Sequence, residues 1–351
     1  MTDFASTIYL WYTQNARKLP WRETREPYLI WISEVILQQT RVDQGMAYYY
    51  HFAKNYPTVE KLASATEEQI LKSWQGLGYY SRARNLHATA QNIVKEYKGK
   101  FPATYSGLLQ LKGIGPYTAA AISSFAYREK KAVVDGNVSR VISRYFGIEE
   151  PIDSTTGKKL IQAIADDHIP EKRPDLYNQS IMEFGALQCT PKNPNCRFCP
   201  LQSGCFAFRH KKVDLLPIKG KKTKVSSLFM HYFFVHDSTK YFIRKRGSDS
   251  IWKNMYELPC TANEKESKTG KLHIDKNWKI PASSTIRFDV AQYKHQLSHR
   301  TIYAQFSEIR LSGKFKPPQG WNGVALKKMP DVAIPRLIER FLEEHFSSYG
   351  V

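Results

Sequence analysis

The stretch Leu111–Asn137, LKGIGPYTAAAISSFAYREKKAVVDGN, decides how the first half of this chain folds. It opens with a tight Gly-x-Gly turn at Gly113 and Gly115, and Pro116 follows where proline is favoured at the first position of a helix. The alanine-rich run after it is a good helix former, so the pattern predicts a turn that leads into a buried helix. Two glycines let the backbone approach a ligand closely, and the N–H groups at a helix start favour an anion. For the glycines alone, a turn that binds nothing is the more common outcome.

Asp135 lies at the end of the apolar run Ala132–Val134, immediately before an amphipathic helical pattern. Aspartate at this position predicts a helix N-cap. The N–H groups of the helix would also favour the ionised form of the carboxyl group. An ionised carboxylate close to a phosphate-binding turn could stabilise positive charge that develops on a sugar.

The motif LKGIGPYTA followed by VDGNV resembles the helix-hairpin-helix and catalytic aspartate of the endonuclease III superfamily of DNA glycosylases. Lyase-competent members of that superfamily have a lysine nucleophile where this chain has Tyr117. Tyrosine there resembles the MutY-type adenine DNA glycosylases, which remove adenine mispaired with 8-oxoguanine. The resemblance implies that Asp135 and Tyr117 lie in a catalytic site. It also implies that the amides around Gly113 and Gly115 bind DNA phosphate.

Length and charge agree with a protein that acts on nucleic acid. The 351 residues suggest two or three domains, and the formal net charge of +20 indicates a polyanionic partner. An anionic membrane surface is the competing partner, but no polybasic amphipathic anchor supports it. The N-terminal residues lack the basic region of a signal peptide, and no apolar run is long enough to span a bilayer. We therefore expect a soluble intracellular protein, cytoplasmic and nucleoid-associated, with no membrane partner.

The segment Tyr28–Thr40 is apolar almost all round at its start, which predicts a buried helix. Glu34 lies in the middle of it without an obvious cation four residues away. A carboxyl group in apolar surroundings has a raised pKa and can serve as a general acid. A surface glutamate, or one paired with a distant arginine, fits the sequence alone equally well. SEVILQQTRV resembles the family's catalytic-glutamate motif, which implies that Glu34 is the acid and that Gln39 and Thr40 contact DNA opposite the flipped base.

Three further residues take a role only from the resemblance. The motif LPWR resembles the segment that lies beside the adenine pocket in the family, which implies that Trp21 and Arg22 line this pocket. Gln179 is assigned a contact with the adenine by the same analogy. Without the resemblance they read as a core aromatic residue, a surface charge and an ordinary helix residue.

The motif GLGYYSR places Leu77 between two glycines, where we expect an exposed apolar side chain on a tight loop. An apolar side chain in such a place suits a wedge that enters a base stack, although packing of the loop against a neighbouring helix is the more ordinary interpretation. The motif resembles the family's intercalation loop, so the resemblance implies that Leu77 and Tyr79 are the wedge. Arg82 and Arg84 are then candidate phosphate contacts.

Four of the five cysteines lie within seventeen positions, at Cys189, Cys196, Cys199 and Cys205, with the spacing C-x6-C-x2-C-x5-C. This crowding predicts a metal-binding loop, and ligand type alone leaves zinc and an iron–sulfur cluster open. The spacing resembles the loop of the endonuclease III superfamily, which implies a [4Fe–4S] cluster with a structural role. Cys260 stands alone and is predicted to be a buried thiol.

A lysine-rich stretch with Pro217 and Gly220 indicates a linker over residues 209–226. Strand-like runs and one closing helix follow it, which predicts an α+β domain. IWKNMYELP resembles the Nudix-like C-terminal domain of MutY-type proteins, but the magnesium-binding signature REx2EEx2G of true Nudix hydrolases is missing from the sequence. The domain is therefore expected to bind rather than hydrolyse. Within it Leu297, Ser298 and His299 resemble the loop that senses 8-oxoguanine, with Leu297 where the family often has phenylalanine.

The sequence as a whole predicts a multi-domain protein. An all-α helix-hairpin-helix glycosylase domain with an iron–sulfur cluster loop spans residues 1–208, and a Nudix-like α+β domain spans 227–351. The six-helix barrel is placed at about 19–126, and the iron–sulfur part at 1–18 and 127–208. The resemblance implies a monomeric, monofunctional glycosylase that removes adenine opposite 8-oxoguanine in duplex DNA.

Two other functions remain open at this point. One is a bifunctional endonuclease III-like enzyme for oxidised pyrimidines, which would want lysine at position 117 and no Nudix-like tail. The other is a non-catalytic iron–sulfur DNA-binding protein, which would need neither Glu34 nor Asp135.

Overall fold

The Gly113–Gly115 turn connects two helices, as the sequence predicts. A short helix over Tyr105–Leu108 precedes it, and the helix Pro116–Tyr127 begins directly after Gly115, with Pro116 at its first position. Residues 118–124 of the second helix are all buried, and the small alanine and serine side chains among them let neighbouring segments pack closely against the helix.

The computed structural model describes residues 4–220, 225–247, 251–265, 274–297 and 299–346. Its helices, in chain order, are α1 (Phe4–Asn15), α2 (Pro27–Leu37), α3 (Val42–Asn55), α4 (Val59–Ser64), α5 (Glu67–Ser73), α6 (Ser81–Tyr97), α7 (Tyr105–Leu108), α8 (Pro116–Tyr127), α9 (Gly136–Phe146), α10 (Thr155–His168), α11 (Pro174–Leu187), α12 (Phe206–Arg209) and α13 (Arg336–Phe346). Its strands are β1 (Ser226–His236), β2 (Lys240–Lys245), β3 (Tyr256–Glu257), β4 (Cys260–Asn263), β5 (Thr285–Gln296), β6 (Arg300–Arg310) and β7 (Asn322–Ala325).

The chain divides into two compact units. The helical unit comprises residues 1–64 and 85–221, and the sheet unit comprises residues 65–84 and 222–351. The sheet unit therefore includes α5 and the glycine loop after it, which the sequence assigns to the glycosylase domain. The domain boundaries taken from the sequence stay a prediction.

Pairwise packing of helices organises the helical unit. Helix α2 packs against α3 and α8, and α11 packs against α1 and α9. A core of buried apolar side chains, among them Phe4, Ile8, Val141 and Phe184, joins α1, α9, α10 and α11. This packing places the middle of α2 and the start of α9 on one side of the unit, where the predicted catalytic carboxyl groups lie.

Residues 216–220, which follow α12, are hydrogen-bonded to the helical unit. The Arg144 side chain donates to the Leu216 carbonyl oxygen over 2.9 Å, and the Ile152 N–H donates to the Ile218 carbonyl oxygen over 2.9 Å. The Gly220 N–H donates to Asp153 Oδ1 over 2.7 Å. The described part of the basic linker thus belongs to the helical fold up to residue 220.

The sheet unit is built on a mixed sheet in the order β3-β2-β1-β6-β5, with β4 paired to β1 and β7 paired to β2. Strands β1 and β6 run parallel over eleven residue pairs, from Ser226 with Arg300 to His236 with Arg310. The other pairings are antiparallel. The strands predicted around residues 227–235, 241–244 and 301–306 are all present, and β3, β4, β5 and β7 were missed.

Candidate active site

Glu34 lies in the middle of α2 and is 6% exposed. The Tyr117 hydroxyl donates a hydrogen bond to Glu34 Oε2 over 2.6 Å. Burial raises the pKa of Glu34 to about 7, and the negative charge of Asp135 acts in the same direction. The Tyr117 hydrogen bond and the Arg22 charge oppose this rise only in part. The prediction that Glu34 is buried with a raised pKa is confirmed, so its carboxyl group can carry a proton near neutral pH.

Asp135 is the N-cap of α9, as predicted. Its Oδ1 accepts from the Asn137 and Val138 N–H groups over 2.8 and 2.7 Å, and its Oδ2 accepts from Asn137 Nδ2 over 2.9 Å. The N–H groups at the helix start favour the ionised carboxylate, as predicted, but they are not the largest influence on its pKa. Burial raises the pKa of Asp135 and outweighs these three hydrogen bonds and the charge of Arg140, which lower it. The hydrogen bonds at the helix start therefore reduce the rise in the Asp135 pKa that burial causes, but they do not cancel it.

Both carboxyl groups line one cavity of about 500 Å³ in the helical unit. The structure brings eight of the predicted site residues to this cavity: Trp21, Arg22, Glu34, Gln39, Thr40, Tyr117, Asp135 and Gln179. Their sequence positions span more than a hundred residues, so only the packing of α2, α8, α9 and α11 makes them neighbours. A cavity of this size is typical of a small-molecule binding site. The individual roles assigned to these residues stay predictions.

The side chains of Trp21 and Gln179 each contact a tyrosine near the cavity. The Trp21 ring packs edge-on against Tyr49 with ring centroids 5.4 Å apart. Gln179 Oε1 accepts a hydrogen bond from the Tyr12 hydroxyl over 3.2 Å. These contacts fix the orientation of both side chains at the cavity wall.

Glu183 is a cavity residue to which sequence reasoning assigned no role. Arg17 donates to both of its carboxylate oxygens over 2.8 Å, and Arg22 Nη2 donates to Oε2 over 2.7 Å. Burial alone would raise the pKa of Glu183, but the hydrogen bonds from Arg17 and Arg22 lower it to about 2. This cluster fixes Arg22 at the cavity wall and keeps Glu183 ionised. A glutamate within an otherwise apolar helical stretch was the only signal available in the sequence.

The Gly113–Gly115 turn lies on the surface at the start of α8. Gly113 has φ +91°, and a Cβ added there would lie 2.6 Å from Thr89 Oγ1. The Thr89 hydroxyl donates to the Lys112 carbonyl oxygen, which holds the turn from below. Gly115 is the residue before the helix and faces open space. The turn thus needs glycine at 113 and presents its backbone outward at a helix N-terminus, the geometry that binding of a phosphate requires.

The expectation that Leu77 is an exposed side chain is wrong. Leu77 is only 7% exposed, whereas Tyr79 is 47% exposed and has φ +47°. Of these two side chains, only that of Tyr79 is exposed. The role of both residues as a wedge stays a prediction. Tyr79 is the one whose exposed ring could contact DNA directly.

The predicted lesion-sensing loop lies between β5 and β6. Leu297 is partly buried, and its N–H donates to the Arg300 carbonyl oxygen over 2.8 Å. His299 is exposed, and its carbonyl oxygen accepts from the Ser226 N–H over 3.2 Å. Ser298 lies outside the described residues. Strands β5 and β6 pair antiparallel on either side of this loop, and the His299 side chain lies on the exposed surface.

The four clustered cysteines lie on the loop after α11, and none of the five cysteines forms a disulfide. Arg144 Nη1 lies 3.4 Å from Cys189 Sγ, and Cys205 Sγ lies 3.5 Å from the Arg144 carbonyl oxygen. Backbone N–H groups of Leu201, Ala207 and Phe208 point at the sulfurs of Cys199 and Cys205.

Burial raises the pKa of the Cys196, Cys199 and Cys205 thiols, to about 12 for Cys199, so these three sulfurs become thiolates only if positive charge is supplied. The four thiols interact with one another, and this donor set of soft sulfurs and N–H groups fits an iron–sulfur cluster or zinc. Over the described ranges, no three His, Cys, Asp or Glu side chains are grouped closely enough to hold a metal ion. The cluster therefore remains a matter for proposal.

Within the described part of the chain, no helix is long and apolar enough to cross a membrane.

Comparisons with known proteins agree with this architecture. The family model described as HhH-GPD superfamily base excision DNA repair protein matches residues 32–165, and the NUDIX domain model matches residues 231–344. An adenine DNA glycosylase of Buchnera aphidicola subsp. Schizaphis graminum is 34% identical over 97% of this chain and 98% of its own length. The human adenine DNA glycosylase is 40% identical over 63% of this chain and 42% of its own length.

Solved structures resemble the helical part. A thermostable thymine-DNA glycosylase has a TM-score of 0.55 at 31% identity and covers 59% of this chain and 95% of its own. A trapped endonuclease III–DNA covalent intermediate has a TM-score of 0.52 at 21% identity, over 59% of this chain and 94% of its own, which shows a shared fold.

Proposed function

The chain belongs to the adenine DNA glycosylase family, and on that premise we propose that it removes adenine paired with 8-oxoguanine or guanine in duplex DNA and does not cleave the strand. It is a DNA glycosylase of base-excision repair, an enzyme that breaks N-glycosyl bonds. One observation supports the proposed chemistry most strongly: Glu34 and Asp135 line the same cavity, and the Glu34 pKa is about 7.

The reaction begins outside the duplex stack, because the N-glycosyl bond cannot be reached while the base is paired. The extruded adenine enters the cavity between Trp21 and Tyr117. The protonated Glu34 carboxyl group gives its proton to the base as the C–N bond breaks, and the bonding electrons leave with the adenine. Water adds to the sugar carbon and releases a proton that restores the Glu34 acid.

Asp135 supplies negative charge next to the sugar as it becomes oxocarbenium-like, much as the second carboxylate does in glycoside hydrolases. The proton resides on Glu34 rather than Asp135 because the two groups have different partners. Asp135 accepts three hydrogen bonds from N–H donors, whereas Glu34 accepts one from a neutral hydroxyl. Hydrogen bonds to a carboxylate favour its ionised form, so Asp135 is the group that stays charged.

Tyr117 explains the proposed absence of strand cleavage. Burial keeps its pKa well above the ordinary value, so the hydroxyl stays neutral and donates to Glu34. It has no amine with which to form a Schiff base with the opened sugar, the step that a lysine at this position would supply.

The experiment that tests this proposal uses a duplex with one central adenine opposite 8-oxoguanine, scored for strand breaks with and without alkali. Wild type and Asp135→Asn are compared, together with a duplex that contains an oxidised pyrimidine. We expect breaks only at the adenine, only after alkali, and none with Asp135→Asn. Breaks at the pyrimidine without alkali would favour an endonuclease III-like enzyme, and tight binding without adenine release would leave a non-catalytic DNA-binding protein.

We also propose that Cys189, Cys196, Cys199 and Cys205 bind a [4Fe–4S] cluster. When bound, the cluster supplies a structural cross-link for the loop after α11 and takes no part in the glycosidic step. Iron and acid-labile sulfide per chain are the readouts. Cys199→Ser is expected to lose both, while Cys260→Ser is the matched control because Cys260 lies on β4 of the sheet unit. One zinc per chain without sulfide would overturn this assignment.

The net charge of +20 supports duplex DNA as the partner. We propose that a single copy of the chain binds it. Light scattering of the protein with one duplex equivalent is expected to give a one-to-one complex. The nucleoid location predicted from the sequence stays a prediction.

A further inference from the structure

Helix α5 and the Gly76–Tyr80 loop fold with the C-terminal residues of the chain. Residues 65–84 form one compact unit with residues 222–351, although in sequence they lie inside the stretch 32–165 that matches the repair-protein family model. The loop that is predicted to enter DNA and the loop that contains Leu297 and His299 therefore belong to the same compact unit.

The N-terminal end of α5 is held by two hydrogen bonds. Asn254 Nδ2 donates to Glu67 Oε1 over 2.6 Å, and the Tyr256 hydroxyl donates to Glu68 Oε2 over 3.4 Å. Both glutamates lie in the first turn of α5, where the helix dipole favours negative charge. Hydrogen bonds to ionised acceptors are stronger than neutral ones, so this end of α5 is firmly placed by the Asn254–Tyr256 segment.

The C-terminal end of α5 is held by a second pair of contacts. Lys72 Nζ lies 3.5 Å from the Val332 carbonyl oxygen and 3.1 Å from Gln75 Oε1. Gln75 Nε2 in turn donates to Glu339 Oε1 on α13. Burial lowers the pKa of Lys72, which agrees with an ammonium group enclosed between α5 and residues that lie far along the chain.

The Gly76–Tyr80 loop is held by contacts within the loop region and by one contact of Arg84, which follows it. The Trp74 indole N–H donates to the Gly78 carbonyl oxygen over 3.0 Å, and the Arg82 guanidinium lies over the rings of Trp74 and Tyr79, 5.1 and 5.6 Å from their centroids. Beyond the loop, Arg84 Nη1 donates to the Lys253 carbonyl oxygen over 3.2 Å. The loop with Tyr79 at its tip is thus fixed on both sides by the segment 253–256 and by α13.

We propose that the Nudix-like part of the chain positions the Gly76–Tyr80 loop for opening the duplex, through its contacts to Glu67, Gln75 and Arg84. Asn254 is the principal positioning residue, because its amide bonds the first residue of α5. The inference rests on the proposed function for its effect on catalysis. The effect of these contacts on the order of the loop does not depend on that function and can be measured in the DNA-free protein.

The test compares wild type with Asn254→Asp, which places a second carboxylate against Glu67. Hydrogen exchange of the Gly76 and Leu77 amides is measured in the DNA-free protein, where they bond the Tyr80 hydroxyl and the Trp74 carbonyl oxygen. We expect faster exchange in the variant. Single-turnover adenine release is expected to fall about tenfold for adenine paired with 8-oxoguanine, and to stay unchanged for adenine in an unpaired bulge that is already open.

Two controls separate positioning from general damage. Asn277→Asp makes the same change at an exposed site of the sheet unit and is expected to alter neither readout. Adding Glu67→Gln to Asn254→Asp restores a donor and an acceptor and is expected to recover both loop protection and the rate. Unchanged exchange in Asn254→Asp, or an equal loss of rate on the paired and bulged substrates, would overturn the inference. If wild type released no adenine, the proposed function would fail, and the exchange data alone would decide whether the Nudix-like part holds the loop.

Discussion

Buried carboxylates in the two units have very different partners. In the sheet unit, Glu257 accepts hydrogen bonds from Arg244 and Arg246, and Glu308 contacts His236 and Arg287 over 3.0 Å each. In the helical unit, the only hydrogen bond resolved for the Glu34 carboxyl within the described ranges comes from the neutral hydroxyl of Tyr117.

This difference separates structural carboxylates from a catalytic one. A buried carboxylate that is surrounded by cations remains ionised and fixes the elements around it. A buried carboxyl group without an adjacent cation can hold its proton near neutral pH, where a general acid must work. Glu183 lines the same cavity as Glu34 but is a structural carboxylate, because Arg17 and Arg22 keep it ionised.

The greatest loss of activity is expected when the catalytic carboxyl group is replaced, and replacing a structural carboxylate is the control. Glu34→Gln removes the proton donor and is expected to slow adenine release about 10³-fold, as loss of a general acid does. Glu308→Gln is the matched control in the sheet unit and is expected to keep the full rate while losing about 1–3 kcal/mol of stability, because Arg287 and His236 lose their ionised partner. Single-turnover rates and thermal unfolding of both variants check this. Equal loss of rate in the two would contradict the distinction.

A smaller effect, on stability, is expected at Glu183, whose arginine partners make it a structural carboxylate. Its pKa of about 2 lies below the ordinary 4.5, so its contribution to stability is present above pH 4.5 and is lost as the pH falls towards 2. Glu183→Gln is expected to lower the free energy of unfolding at neutral pH by about 3 kcal/mol. Denaturant unfolding at neutral and acidic pH measures this, and the gap between variant and wild type should close in acid. A constant gap would contradict the assignment.

The pH dependence of the rate tests the role of Glu34 without a substitution. The pKa of Glu34 is raised to about 7, so the acid form is present below that pH and the single-turnover rate should fall about tenfold per pH unit above it. The same raised pKa means that the stability of wild type declines as the pH rises from 4.5 to about 7. Glu34→Gln is therefore expected to gain thermal stability relative to wild type above pH 7. A rate that is flat up to pH 9 would show that the acid lies elsewhere.

The smallest effect is expected from Tyr117→Phe. The Tyr117 hydrogen bond lowers the pKa of Glu34, so its removal should raise that pKa and move the fall in rate to higher pH. A single hydrogen bond to a charged group contributes about 1.5–3 kcal/mol when fully formed, and partial replacement by water keeps the shift to about one pH unit. The pH profile of the variant measures it. A shift to lower pH would contradict the assigned role of the hydroxyl.

Much of the site could be predicted from the sequence, because its elements are formed by neighbouring residues. Proline after the Gly-x-Gly turn begins a helix, and Asp135 caps the next one, through contacts within a few residues. The exposure of Leu77 was predicted wrongly for the opposite reason. Whether a loop side chain is covered depends on chain segments that the local pattern does not contain.

Local chemistry accounts for the helical and α+β halves, the hairpin turn, the N-cap at Asp135 and the cysteine-rich loop, so these features could be predicted from the amino-acid sequence. The proton state of Glu34 and the ion pairs of Glu183 depend instead on how the chain packs. The partners of these groups lie 83 residues away at Tyr117 and 166 residues away at Arg17. Burial and charge pairing set a pKa, and both depend on packing between distant segments. A residue's identity and spacing can indicate a catalytic acid, but the fold must enclose it before it can act as one.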